Sequence, residues 1–463
     1  MEDYHVRDFL GKHIHFIGIG GISMSGLAEI LHEKGCHVSG SDLRMSPLTK
    51  RLSNNGITVF KGHDGKNIEG ADLIIYTAAI HEDNPELTEA KKRNIPCMDR
   101  ATLLGQIMET YPFAIGVSGT HGKTTTTSML SMIMNRSGLD PTILVGGELD
   151  EIGGNVRAGH SKYFITEACE YVDSFLKFHP DMALILNIDR DHLDYFRDID
   201  QIYDSFVKYA ALVPSTGYVI GCGDDPLVSR LMDQADCHTV SYGIDHPADW
   251  SAKEISYDQK GCARFVAVKN GKTFETFGLK VPGRHNIYNA LASIAAADVM
   301  GIPADRIKNA VSLYHGAHRR FEIKGKTENG ATIVDDYAHH PTEIKATIQA
   351  ALHYPHNRLW CIFQPHTYTR TKKLFREFTE AFRGVDTLIL ADIYAAREKD
   401  TGEISSRMLA EAISKKGQDC TYLPDFKEIE DTIRKHARPG DLILTMGAGD
   451  INQVGDDLKS SEK

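Results

Sequence analysis

The chain has 463 residues, 52 of them basic and 63 acidic, for a net charge of -11. That balance gives no electrostatic footprint for nucleic acid, so any phosphate must be held by local loops. Hydrophobic residues at 41%, charged residues at 25% and forty glycines exclude a disordered or membrane-embedded chain and leave room for about three domains at roughly 150 residues each.

The amino end, MEDYHVRDFLGKH, is charged and leads into a strand, and no apolar run approaches a bilayer span, so neither targeting nor membrane insertion is expected. Eight cysteines, at 36, 97, 169, 222, 237, 262, 361 and 420, form no C-x-x-C pair and read as thiols of a reducing compartment, hence a cytoplasmic location.

The first block opens on the strand HIHFIGI and includes ADLIIYT. Its helix, MSGLAEILHEKG, carries apolar residues at 24, 27, 28, 30 and 31 and is expected to stop at Gly35, as an amphipathic helix with a glycine cap does. Between strand and helix, Gly18, Gly20, Gly21 and then Ser23 resemble a dinucleotide fingerprint, and Asp42 follows the second strand. Such glycines hold any pyrophosphate, so a nicotinamide oxidoreductase is one reading and a bound UDP-sugar another.

The second block opens on FAIGVSGTHGKTTTTSMLSMIM and includes YFITEAC, MALILNI and YVIGC. In Gly119-Thr120-His121-Gly122-Lys123-Thr124-Thr125 a strand ends on glycines and a helix begins on hydroxyls. Backbone N–H groups and the helix dipole then aim at an anion, Lys123 adds a charge for the β- and γ-phosphates, and the Thr124 hydroxyl suits magnesium. Val117 stands where the full phosphate-loop pattern has its first glycine, leaving a shortened G-T-x-G-K-T. Glu167 closes the next strand, where open α/β sheets bind ligands. His192 lies among Asp189, Asp191 and Asp194, and Asn286 and Asn289 share a helix face with amides able to read an adenine edge.

The third block contains ATIVDDYA, RLWCIF, DTLILADIY and DLILTMGAG, and ends on a charged tail, DDLKSSEK, expected to fray. Its QPHTYTR segment puts His366 and Arg370 at a strand's carboxyl end, where an arginine can pair a carboxylate with parallel hydrogen bonds.

Seven motifs, HFIGIGG, GTHGKTTT, NIDRDHLDYF, GRHNIYNALA, HRRFE, DDYAHHPTE and FQPHTYTRT, occur in an order and spacing that resemble the Mur ligases over nearly the whole chain. The resemblance implies an α/β protein of three domains: a Rossmann-like UDP-sugar domain over 1–107, a central P-loop-type ATPase domain over 108–313, and a Rossmann-like amino-acid domain over 314–463. It implies ATP and Mg2+ as cofactors and UDP-N-acetylmuramate and L-alanine as partners, joined through an acyl phosphate in peptidoglycan synthesis. A ligase attaching a ready-made peptide to the same sugar is the alternative, and a non-catalytic UDP-sugar sensor a further one.

By the same resemblance, Gly18, Gly20, Gly21 and Asp42 hold the UDP moiety, while Gly119 to Thr125, Asn286, Asn289, Arg320 and Asp336 hold ATP. Thr124, Glu167 and His192 are the implied metal ligands, and Lys123, Glu167, His192 and Arg320 the catalytic groups. His366 and Arg370 take the amino acid, with His339 and His340 nearby. Lys208 lies near a position that many superfamily members carbamylate, and it is given no role here.

Overall fold

The computed structural model describes residues 4–77 and 79–459, whose strands form three sheets. In the first, His13–Ile17 is central, with His37–Asp42 and Thr58–Lys61 on one side and Leu73–Tyr76 and Cys97–Asp99 on the other, all parallel. Strand order reverses at His13–Ile17, so the glycine loop at its carboxyl end lies in the crevice where such sheets bind ligands. The helix Ile22–Glu33 buries Met24, Leu27, Ala28, Ile30 and Leu31, and Gly35 beyond its end takes φ 87°, the left-handed geometry that ends helices on glycine.

A ten-stranded sheet follows, with Phe113–Ser118 between Tyr163–Glu167 and Met182–Ile185. Met182–Ile185 is buried at every position, as expected of a parallel strand covered on both faces. The sheet is extended by Trp250–Tyr257, Cys262–Lys269 and Lys272–Pro282, paired antiparallel and absent from the sequence reading. Their signal was Asn270-Gly271, whose φ values of 49° and 77° make the tight turn between Lys269 and Lys272.

In the third sheet Thr332–Asp336, Leu442–Met446, Leu359–Phe363, Thr387–Leu390 and Cys420–Tyr422 run parallel, with Glu322–Lys326 antiparallel at one edge. The tail expected to fray instead continues this unit: Asn452–Leu458 is a helix that buries Val454 and Leu458, so Asp456 and Asp457 are held by their apolar neighbours. Residues 460–463 of that tail lie outside the described residues. No helix among the described residues is long and apolar enough to cross a membrane.

The units press closely on one another. A Cβ at Gly26 would lie 2.3 Å from Leu144 Cδ1, and one at Gly105 only 1.8 Å from the Lys177 carbonyl oxygen. Both glycines let first-unit helices approach the central unit at distances no side chain allows.

Candidate active site

The phosphate loop turns on Gly119, at φ 136°, and Gly122, at φ 84°, and the helix Lys123–Arg136 starts with no side-chain cap on its first amides. Those amides are available to an anion. Beside them opens a cleft of about 470 Å3, walled by Gly122, Thr125, Asn286 and Asn289 of the central unit and by Arg320 and Asp336 of the third. Most of the nucleotide residues expected from the sequence are therefore brought together, and from two units. Asn289 Nδ2 donates to Asn286 Oδ1 at 3.0 Å and Thr126 Oγ1 donates to Asn289 Oδ1 at 3.2 Å, fixing both amides against the loop. Arg320 donates to Thr124 Oγ1 at 3.2 Å. Burial pushes the Asp336 carboxyl up to about 6, against the nearby Arg320 charge, while the Phe321 and Ala338 amides donate to it.

At the loop's other edge Lys123 Nζ donates to the carbonyls of Gly119 and Thr120 and lies 3.0 Å from Glu170 Oε2. Glu170 is 2% exposed and was passed over in the sequence, where Glu167 closed the strand. Its Oε1 is also 4.0 Å from His192 Nε2. Glu167 instead turns to the adjacent strand, accepting from the Gly146 amide at 2.6 Å. The carboxylate grouped with His192 and Cys169 is Glu170, three residues past the strand end. Burial works against the Lys123 charge, but Glu170 first and Glu167 more weakly hold its pKa above the usual lysine range. Burial likewise opposes the His192 charge, and Asp191 and Glu170 raise its pKa.

In the first unit Gly18 has φ 82°, and Asp42 accepts from the Gly20 amide at 2.9 Å, so the aspartate closes the glycine loop on itself. Gly21 precedes the helix Ile22–Glu33, whose N-terminus carries no side-chain cap.

Arg370, expected to await a free carboxylate, is already engaged. Its Nε donates to Asp191 Oδ1 at 2.9 Å across the unit boundary, and its Nη1 donates to His366 Nδ1 at 3.0 Å. Burial would raise the Asp191 carboxyl, yet Arg370 and His192 hold it well below the usual carboxylate range. Burial also pushes His339 down to about 4 and His366 to about 3, so both are neutral at pH 7 and act here as hydrogen-bond partners, not cations. His340 caps the helix Pro341–His353 and reaches the Arg190 carbonyl at 3.0 Å. Lys208 is exposed on the helix Ile199–Ala210.

A further contact between units was not read from the sequence. His121 of the phosphate loop has Nε2 3.1 Å from Asp189 and Nδ1 3.2 Å from Glu343 of the third unit. Burial opposes its charge, but the two carboxylates raise its pKa from 6.5 to about 9. Folding therefore favours protonated His121: the stability it contributes is complete below about pH 6.5 and is lost as pH rises through about 9. Urea midpoints should accordingly fall across that window in the native protein and fall less in His121→Gln. Parallel profiles for the two proteins would exclude the latch.

Three family descriptions match the chain in succession: "Mur ligase family, catalytic domain" over 13–112, "Mur ligase middle domain" over 117–297 and "Mur ligase, glutamate ligase domain" over 319–449. The chain is 57% identical to a UDP-N-acetylmuramate--L-alanine ligase of Acetivibrio thermocellus, covering 96% of this chain and 95% of that one. It is 54% identical to the protein of the same name from Clostridium tetani, covering 97% and 98%. Among solved structures it resembles the UDP-N-acetylmuramate-alanine ligase of Thermotoga maritima, with TM-score 0.83 and 29% identity over 96% and 98% of the two chains. A murein peptide ligase of Psychrobacter arcticus gives TM-score 0.74 and 26% identity over the same shares.

Proposed function

Since the chain belongs to the Mur ligase family, we propose that it is a cytoplasmic ATP-dependent ligase that joins L-alanine to the carboxylate of UDP-N-acetylmuramate for peptidoglycan synthesis. The observation that carries this reading is the near-full-length likeness to relatives bearing that activity in their names, at 57% and 54% identity. The site is consistent with it. Residues 1–107 would hold the UDP moiety through Gly18, Gly20, Gly21 and Asp42, residues 108–313 ATP, and residues 314–463 the amino acid.

In the reaction the muramoyl carboxylate attacks the γ-phosphorus of ATP and ADP leaves. The alanine amine then attacks the acyl carbon, and phosphate departs from the tetrahedral intermediate with one carboxylate oxygen. Lys123, released from the Gly119 and Thr120 carbonyls, would meet the transferring phosphoryl group together with Arg320. Asn286, Asn289 and Asp336 would orient the nucleoside across the cleft between units.

Thr124, Glu167 and His192 would hold magnesium, and Glu170, a buried carboxylate 4.0 Å from His192 whose present partner is a cation, would add a further oxygen donor. Magnesium held there would supply positive charge that offsets the charge of the phosphates. Glu167 also acts on the Lys123 charge from the strand end. For the acceptor, Arg370 bonds His366 and pairs with Asp191 beside His192, and an alanine carboxylate would compete with Asp191 for its guanidinium.

The test is steady-state kinetics with alanine, glycine, serine and a ready-made tripeptide as acceptors. Alanine should be preferred to glycine and serine by about ten- to two-hundredfold, since a pocket discriminates one methyl or hydroxyl by about 1 to 3 kcal/mol. Efficient use of the tripeptide with no use of alanine would replace this reading by the peptide ligase.

A further inference from the structure

We propose that Cys169, Glu170 and His192 form a site for a borderline-soft divalent cation such as Zn2+, whose binding takes His192 from magnesium and arrests ligation. The thiol sulfur, a carboxylate oxygen and an imidazole nitrogen lie within 4.8 Å of one another. Zn–S bonds of about 2.3 Å and Zn–N or Zn–O bonds of about 2.0–2.1 Å place tetrahedral donors roughly 3.3–3.8 Å apart. His192 Nε2 and Glu170 Oε1, 4.0 Å apart, need to close only slightly. One thiolate, one imidazole and one carboxylate with a fourth position open is a zinc donor set, and the thiolate is the donor that sets zinc apart from magnesium.

The site is also prepared for positive charge. Glu170 is buried and already neutralised by the Lys123 ammonium at 3.0 Å, which an incoming cation would displace. On coordination the Cys169 thiol proton passes to solvent and no electron moves. The other histidine and carboxylate cluster among the described residues, His121, Asp189 and His340, is committed elsewhere: His121 pairs with both Asp189 and Glu343, and Thr342 donates to Asp189 at 2.7 Å.

The inhibitory consequence rests on the ligase reading; the binding does not, so the two are tested separately. Native protein and Cys169→Ser are titrated with Co2+ alone, following the near-ultraviolet thiolate-to-metal charge-transfer band, and Zn2+ is then added. The band is expected in the native protein, to be abolished by Zn2+, and to be absent from Cys169→Ser and from a second variant, Cys169→Ala. A missing band in the native protein, or an equal band in either variant, overturns the site. In the second arm Zn2+ inhibition is measured at fixed ATP and Mg2+, each protein against its own uninhibited rate. The half-inhibitory concentration should rise about tenfold or more in Cys169→Ser, the loss typical when a metal site is impaired. Equal inhibition of a variant that has lost the band overturns the arrest.

Discussion

Lys123→Ala is expected to lower turnover on the order of a hundredfold or more while leaving UDP-N-acetylmuramate affinity near native. One preorganised charge on a transferring phosphoryl group is worth about that much, and the glycines proposed to hold UDP lie in a different unit. A second loss accompanies it. Glu170 is 2% exposed and has Lys123 at 3.0 Å, and removing one partner of a buried pair typically costs about 3–5 kcal/mol. The urea midpoint should therefore fall as well. The double variant Lys123→Ala/Glu170→Gln should recover much of that midpoint and none of the turnover, separating stability from chemistry. Near-native turnover in the single variant would remove Lys123 from the reaction.

Glu170→Gln should lower turnover by about tenfold to a hundredfold and move magnesium saturation to higher concentration, because the amide keeps the shape but loses the charge facing Lys123 and His192. Glu167→Gln should do likewise, since it removes the other carboxylate charge acting on Lys123. Its oxygen accepts from the Gly146 amide at 2.6 Å, a bond that a glutamine oxygen can keep. Magnesium titrations of the two variants side by side decide the matter. A variant whose magnesium saturation stays native would lose its place among the proposed ligands.

That pair of glutamates shows where a sequence stops being readable. A strand ending in a carboxylate is a local pattern, and Tyr163–Glu167 forms as its β-branched and aromatic run implies. That Glu170, three positions on, is buried against Lys123 has no such local mark, because it depends on how the loop after the strand packs on the phosphate loop. The phosphate loop was legible because glycine, lysine and threonine are each demanded there by a physical requirement at fixed spacing, and Gly119 and Gly122 do adopt positive φ. The parallel sheets were legible from alternating apolar strands and helices, whereas the antiparallel hairpins after residue 250 required attention to Asn270-Gly271. Contacts between units were hidden altogether. Arg370 meets Asp191 from 179 positions away, and only the docking of the third unit on the second brings the proposed acceptor clamp against that carboxylate.

The measurement that bears most directly on the proposed chemistry follows one oxygen atom. UDP-N-acetylmuramate carrying heavy oxygen in its muramoyl carboxylate is turned over with ATP, magnesium and L-alanine, and the released phosphate is examined by mass spectrometry. Attack of that carboxylate on the γ-phosphorus, followed by displacement by the alanine amine, requires one heavy oxygen in each phosphate formed and a matching loss from the amide product. Phosphate free of the label, released alongside the amide, would contradict the acyl-phosphate route and with it the roles given to Lys123 and Arg320.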